Sequence, residues 1–145
     1  MMLLVFVLAM VAAGCGGNEA DVADGGDITV SYLTGTWAGV ECNCSLVFED
    51  DGTYRIVQGA GQGFAGVTYA EDTTVEQGDF SVEGTVVTFV SNAESQNCEA
   101  GDRLVSEIEI LEGSALVEDT IRQVTIEDEC AIRGTVRSVT MQRVS

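Results

Sequence analysis

From residue 33 onward the chain is a succession of short runs rich in β-branched and aromatic residues, separated by tight-turn signals, and no stretch sustains an apolar period of 3.6. Gly35 to Cys42 and Ser45 to Glu49 read as the first two strands, with Leu46 and Phe48 on one face. Asp51-Gly52 then signals a hairpin into Thr53 to Val57, and Gly59 to Thr68 is a glycine-rich loop. Glu83-Gly84 joins Asp79 to Val82 with Thr85 to Val90. Further strands are expected over Leu104 to Leu111, Ala115 to Val117, Ile121 to Ile126 and Thr135 to Val144, with a turn at Glu112-Gly113-Ser114. Roughly seven to nine strands in about 110 residues predict an all-β fold, with the spacing of an up-and-down barrel or a small sandwich. Closure also removes the exposed edges such a sheet would carry.

The first 13 residues, MMLLVFVLAMVAA, are uninterrupted apolar or small residues, followed by Gly14, Cys15 and a polar stretch. As a helix they reach only ~20 Å, short of a ~30 Å hydrocarbon core, which fits a signal peptide better than a permanent span. Gly16 to Asp27 is small and acidic, and is expected to be a disordered tether. The expected organisation is a signal peptide over 1–14, a flexible tether over 15–30 and a barrel domain over 31–145. Removal of residues 1 to 14 from the 145 leaves 131, enough for one self-sufficient domain.

Ala12-Ala13-Gly14-Cys15 resembles the lipobox of bacterial lipoproteins. The resemblance implies cleavage before Cys15, lipid on its thiol and anchorage to a membrane through that lipid. Gly16 after the cysteine implies the outer membrane, on its periplasmic side or at the cell surface.

Charge and residue absences exclude whole function classes. The chain carries 24 acidic and 6 basic residues, a net charge of -18, which repels nucleic acid and anionic lipid. It contains no His and no Lys, so a Ser-His-Asp triad, a Cys-His pair, a Ser-Lys dyad, a Schiff base and an HExxH zinc site are all ruled out. The main enzymatic option left is carboxylate chemistry. Glu49, Asp50 and Asp51 are the nearest to a catalytic pair, but acids beside a hairpin turn read as solvated surface. The expectation is a protein that is not an enzyme and carries no cofactor. Asp21, Asp24 and Asp27 lack the ligand spacing of a calcium loop.

With Cys15 set aside, Cys42, Cys44, Cys98 and Cys130 form an even set, which in an oxidising compartment predicts two disulfides rather than a four-thiolate metal site. Three connectivities are open. If Cys42 and Cys44 continue in strand geometry they face the same side, which lets each reach a distant partner. A local Cys42 to Cys44 bridge is the alternative, and Cys98 with Cys130 is the preferred pairing if only one bridge is distant.

Leu33-Thr34-Gly35-Thr36-Trp37 resembles the Gly-x-Trp opening of lipocalins and lipocalin-like bacterial secreted domains. Phe48-x-x-Asp51-Gly52-Thr53-Tyr54 is similar to their first hairpin, Gly78 to Gly84 to a later one, and Asp128-x-Cys130-x-x-Arg133 to a segment near their end. The resemblance implies one antiparallel up-and-down barrel of about eight strands, in which Trp37 packs at the barrel floor against an arginine of the last strand, Arg137 or Arg143. It implies a noncatalytic binding or interaction domain whose partner is a small apolar ligand or a protein. Trp37, Phe48, Tyr54, Phe64, Tyr69, Phe80 and Phe89 are the aromatics available to line a cavity, with Tyr54, Phe80 and Phe89 the leading candidates, although core packing is the preferred reading of all of them because a small barrel fills its interior with side chains. The alternative function is a structural envelope or surface protein with a filled barrel and no small ligand.

Overall fold

A computed structural model describes residues 27–63, 67–111, 119–131, 133 and 138–144. Cys15, the tether over residues 15–26, Phe64, the turn at 112–114, the strand expected over 115–117 and Arg137 lie outside the described residues.

The described residues begin with a short lead into a single helical turn, α1 (Val30–Leu33). Among the described residues ten strands follow: β1 (Gly35–Gly39), β2 (Cys44–Phe48), β3 (Thr53–Gln58), β4 (Gly61–Gln62), β5 (Thr68–Tyr69), β6 (Thr73–Glu83), β7 (Val86–Ser91), β8 (Arg103–Ile110), β9 (Thr120–Asp128) and β10 (Ser138–Arg143). Eight of them close an antiparallel barrel in the order β1-β10-β9-β8-β7-β6-β3-β2, so each pairs with its neighbours in the chain and the first pairs with the last. The expected up-and-down barrel is the observed one.

Alternation sets the faces. β7 buries Val87, Phe89 and Ser91 and leaves the residues between them partly exposed, and β8 buries Leu104, Ser106 and Ile108. The turns use the residues they demand: Gly52 holds φ at 84°, in the left-handed region that a side chain disfavours. Gly78 serves a different need, because a Cβ there would lie 1.9 Å from the Val90 carbonyl oxygen on β7.

Three elements differ from the sequence expectation. The glycine-rich segment after Gln58 contains a small two-stranded ribbon, β4 with β5. β6 starts at Thr73, six residues ahead of the expected Asp79, because a bulge interrupts its pairing with β3: Ile56 faces Glu76, the next residue Val57 faces Thr74, and Val75 is left as the extra residue. Val75 and Glu76 are consequently both buried, and the simple two-residue period that marks a strand is lost there. The tether boundary at residue 30 also falls too late. Ile28 is buried in the core, its N–H donating to the Gly84 carbonyl at 2.9 Å, since an apolar side chain at the mouth of the barrel gains more by covering it than by staying in water.

α1 closes that mouth. The Thr29 hydroxyl accepts from the Tyr32 N–H at 3.1 Å and caps the turn, while Tyr32 and Leu33 enter the core. The core cluster runs from this end through Trp37, Phe48, Phe80, Val87, Phe89 and Ile108. The opposite end of the barrel, where β2 and β6 begin, is built from different residues.

Candidate functional site

The floor forms first. Trp37 is fully buried on β1 and pairs across the sheet with Arg143 on β10. The indole N–H donates to the Leu33 carbonyl at 2.7 Å, and the guanidinium carbon of Arg143 stands 4.3 Å from the indole centroid. Arg143 also donates to the carbonyls of Thr34, at 2.8 Å, and Tyr32, and its Nε to Asp119 at 3.0 Å. One arginine thus ties α1 to both barrel-closing strands. Burial holds the Tyr32 hydroxyl above its ordinary range, with the charge of Asp119 acting in the same sense and that of Arg143 opposing.

The aromatics expected around a cavity do not line one. Phe80 packs edge-on against Phe48 with centroids 4.8 Å apart, and Tyr54 against Phe89 at 4.9 Å. Both pairs fill the barrel next to the α1 end, so Tyr54, Phe80 and Phe89 are core residues, as the packing reading expects, and none of them lines the cavity described next. Tyr69 sits on the β4–β5 ribbon, outside the barrel.

A cavity of about 110 Å³ lies instead toward the opposite end. Its walls are Leu46, Ile56, Val75, Leu104, Val139 and Met141, from five strands of the barrel, and its polar edge is formed by Glu76, Gln123, Asp128 and Arg133. The bulge in β6 presents Val75 and Glu76 to it together. A second bulge, between Val105 and Ser106 of β8 and their partners on β9, leaves Ile126 unpaired and outward at 59% exposure, which re-phases β9 so that Thr125 and Asp128 both reach the cavity.

Glu76 is the centre of the polar edge. Its side chain is 2% exposed, and Oε1 accepts from the Tyr54 hydroxyl at 2.6 Å, the Ser91 hydroxyl at 3.2 Å and Arg133 Nη1. Arg133 also bonds Asp128 through Nε at 3.2 Å, and these two side chains are 13% and 8% exposed. A buried carboxylate is tolerated only with such partners. Burial raises the Tyr54 hydroxyl far above its ordinary range, and the negative charge and hydrogen bond of Glu76 raise it further. Sequence reasoning quoted Asp128 and Arg133 only as part of a motif and passed over Glu76. Its partner Arg133 lies 57 positions away, a separation that no local pattern marks.

Cys98 and Cys130 are joined in a disulfide, with Cα atoms 5.4 Å apart, beside this network. Cys98 Sγ lies 3.5 Å from Glu76 Oε2. A cation cannot use the two sulfurs with Asp102, although the three donor atoms cluster within 4.8 Å, because the disulfide leaves no thiolate. Cys42 bridges Cys44 across the β1–β2 turn, so the local alternative is the one the structure adopts for this pair.

Glu49 and Asp51 are solvent-facing. Glu49 pairs with Arg55 at 3.4 Å, both about half exposed, and Asp51 Oδ1 accepts from the Thr53 hydroxyl at 2.7 Å and its N–H at 3.0 Å. These acids shape the hairpin. They do not converge on the cavity edge. No protein-family model matches this chain, and no curated protein or solved structure does either.

Proposed function

We propose that the protein is an exported lipoprotein, anchored by lipid on Cys15, whose lipocalin-like barrel is a noncatalytic binding domain for a small molecule. The observation that carries the binding reading is the 110 Å³ cavity with apolar walls and one buried polar edge, the combination by which binding sites hold and orient a ligand. Trp37 with Arg143 beside it supports the lipocalin resemblance. Residues 1 to 16 support export, lipidation and the outer membrane.

Size favours a second reading. Drug-sized ligands occupy roughly 300 Å³ or more, so a cavity of 110 Å³ also suits a structural barrel with an imperfectly filled interior. A cavity of ~150 Å³ in a protein core does bind benzene, which marks the size of occupant to expect. Benzene titration followed through backbone amide shifts separates the two readings. Saturable shifts centred on Leu46, Val75, Leu104 and Met141 support binding, and their absence supports the structural barrel. The anchor is tested by the intact mass of the exported protein: a diacyl or triacyl increment on Cys15, lost with release from the membrane in Cys15→Ala, is expected, and an unmodified Cys15 refutes it.

A further inference from the structure

The two oxygens of the buried Glu76 carboxylate are used unequally. Oε1 accepts from the Tyr54 hydroxyl at 2.6 Å, the Ser91 hydroxyl at 3.2 Å and Arg133 Nη1. Oε2 has Cys98 Sγ beside it at 3.5 Å, but that sulfur is bonded to Cys130 and carries no hydrogen to donate. A carboxylate oxygen has room for about two hydrogen bonds, so Oε2 keeps unmet acceptor capacity in a side chain only 2% exposed. The β6 bulge turns Glu76 inward together with Val75, and both line the cavity.

Charge narrows the complement. One guanidinium, that of Arg133, faces two carboxylates, Glu76 and Asp128, so the edge keeps one negative charge in excess. A ligand carboxylate is repelled there, and a hydrocarbon leaves Oε2 without a partner. A cationic donor meets the charge and the hydrogen bond together. The opposite wall, Leu46, Ile56, Leu104 and Met141, is apolar, so the charge belongs at one end of the occupant.

Resting on the binding reading above, we infer that the cavity takes a small primary ammonium compound with a compact apolar body, about four to six heavy atoms in all, and that its ammonium donates to Glu76 Oε2. The apolar body lies against Leu46, Leu104 and Met141, and Gln123 and Asp128 are the polar neighbours of the ammonium on the same edge. Glu76 is the specificity residue, since its open oxygen distinguishes an ammonium from a neutral or anionic molecule of the same shape.

Isobutylammonium, isobutanol and isobutyrate share one branched apolar body and differ in the head group. Each is titrated by NMR at neutral pH into the folded protein and into Glu76→Gln, which keeps Oε1 for Tyr54, Ser91 and Arg133 and turns the open oxygen into a donor. Isobutylammonium is expected to bind the parent protein about ten-fold more tightly than isobutanol and to lose that advantage in the variant, and isobutyrate is expected to bind neither. Should the variant fail to fold, the Glu76 carboxyl carbon of the parent protein supplies the same answer, because its resonance is expected to move with isobutylammonium along the same saturation curve as Leu46 and Met141. Isobutanol binding as tightly as isobutylammonium, an advantage that survives Glu76→Gln, a carboxyl carbon unmoved by bound ammonium, or binding of isobutyrate overturns the assigned ligand class while the cavity still binds. Failure of all three probes where benzene binds overturns that class as well, and failure of benzene too overturns the binding reading itself.

Discussion

Arg143 lies over the face of Trp37, 4.3 Å from ring centre to guanidinium carbon, and from that position donates to two carbonyls of the segment that leads into β1. The pair fastens the first strand to the last and the α1 plug to both. Trp37→Ala is expected to destabilise the fold by ~3–5 kcal/mol, as for a fully buried large side chain. Arg143→Lys is not conservative here, because an ammonium cannot stack and reach both carbonyls at once, and a loss of about 1.5–3 kcal/mol is expected. Urea unfolding of both variants checks this. A blue-shifted Trp37 emission shielded from quenchers is expected in the folded parent, and a solvent-exposed emission maximum contradicts the arrangement.

Glu76 and Arg133 are predicted to be coupled. Removing Arg133 leaves the buried Glu76 carboxylate with hydroxyl donors but no cation, and removing Glu76 leaves Arg133 with Asp128 alone, so each single change is expected to destabilise by about 1–3 kcal/mol. Removing both, as in Glu76→Gln/Arg133→Met, is expected to cost less than the sum of the single changes by 1 kcal/mol or more, on the order of coupling in hydrogen-bonded networks. A double-mutant cycle by chemical denaturation measures it, and additive losses contradict the buried network.

The two ends of the barrel are predicted to respond differently to overpacking. Val87 is fully buried in the filled part, so Val87→Phe is expected to cost ~1–3 kcal/mol. Val139 lines the cavity, and Val139→Phe has room to be absorbed there with a change within about 1 kcal/mol, while blocking benzene. Similar losses for the two substitutions contradict the division of the interior.

Asp51 gives a pH prediction. The Thr53 hydroxyl and then the Thr53 N–H hold its carboxyl below the ordinary value of 3.8. A depressed acid contributes stability that is present above its unfolded pKa and is lost as pH falls through the lower folded value. Its side chain is solvent-exposed, so the contribution is small. Carboxyl titration by NMR is expected to show the Asp51 pKa rising in Thr53→Val, with the backbone bond retaining part of the depression, and an unchanged pKa contradicts the hydroxyl's role.

The barrel was legible because its strands are short β-branched and aromatic runs, two of which, β7 and β8, alternate cleanly in burial, and because turn residues separate them. Asp51-Gly52 and Glu83-Gly84 each join the strands expected of them. Trp37 was legible through its motif, and Arg143 became identifiable once register paired it with Trp37. The cavity was not legible, for a physical reason. Its residues are set by two bulges, which break the period that sequence reading depends on, and its charged edge joins Glu76 to a partner on a distant connection. Aromatic residues drew attention as a ligand lining, but large flat rings are what a narrow barrel uses to fill itself.

Side chains fill the barrel from α1 to the Phe48–Phe89 cluster, and the cavity lies beyond it. Diffraction from a crystal pressurised with xenon tests this directly, because xenon enters apolar cavities of this size without chemical selectivity. The account predicts xenon density bounded by Leu46, Ile56, Leu104 and Met141 and none among Trp37, Phe48 and Phe80; an interior that takes up no xenon contradicts it and leaves the filled structural barrel.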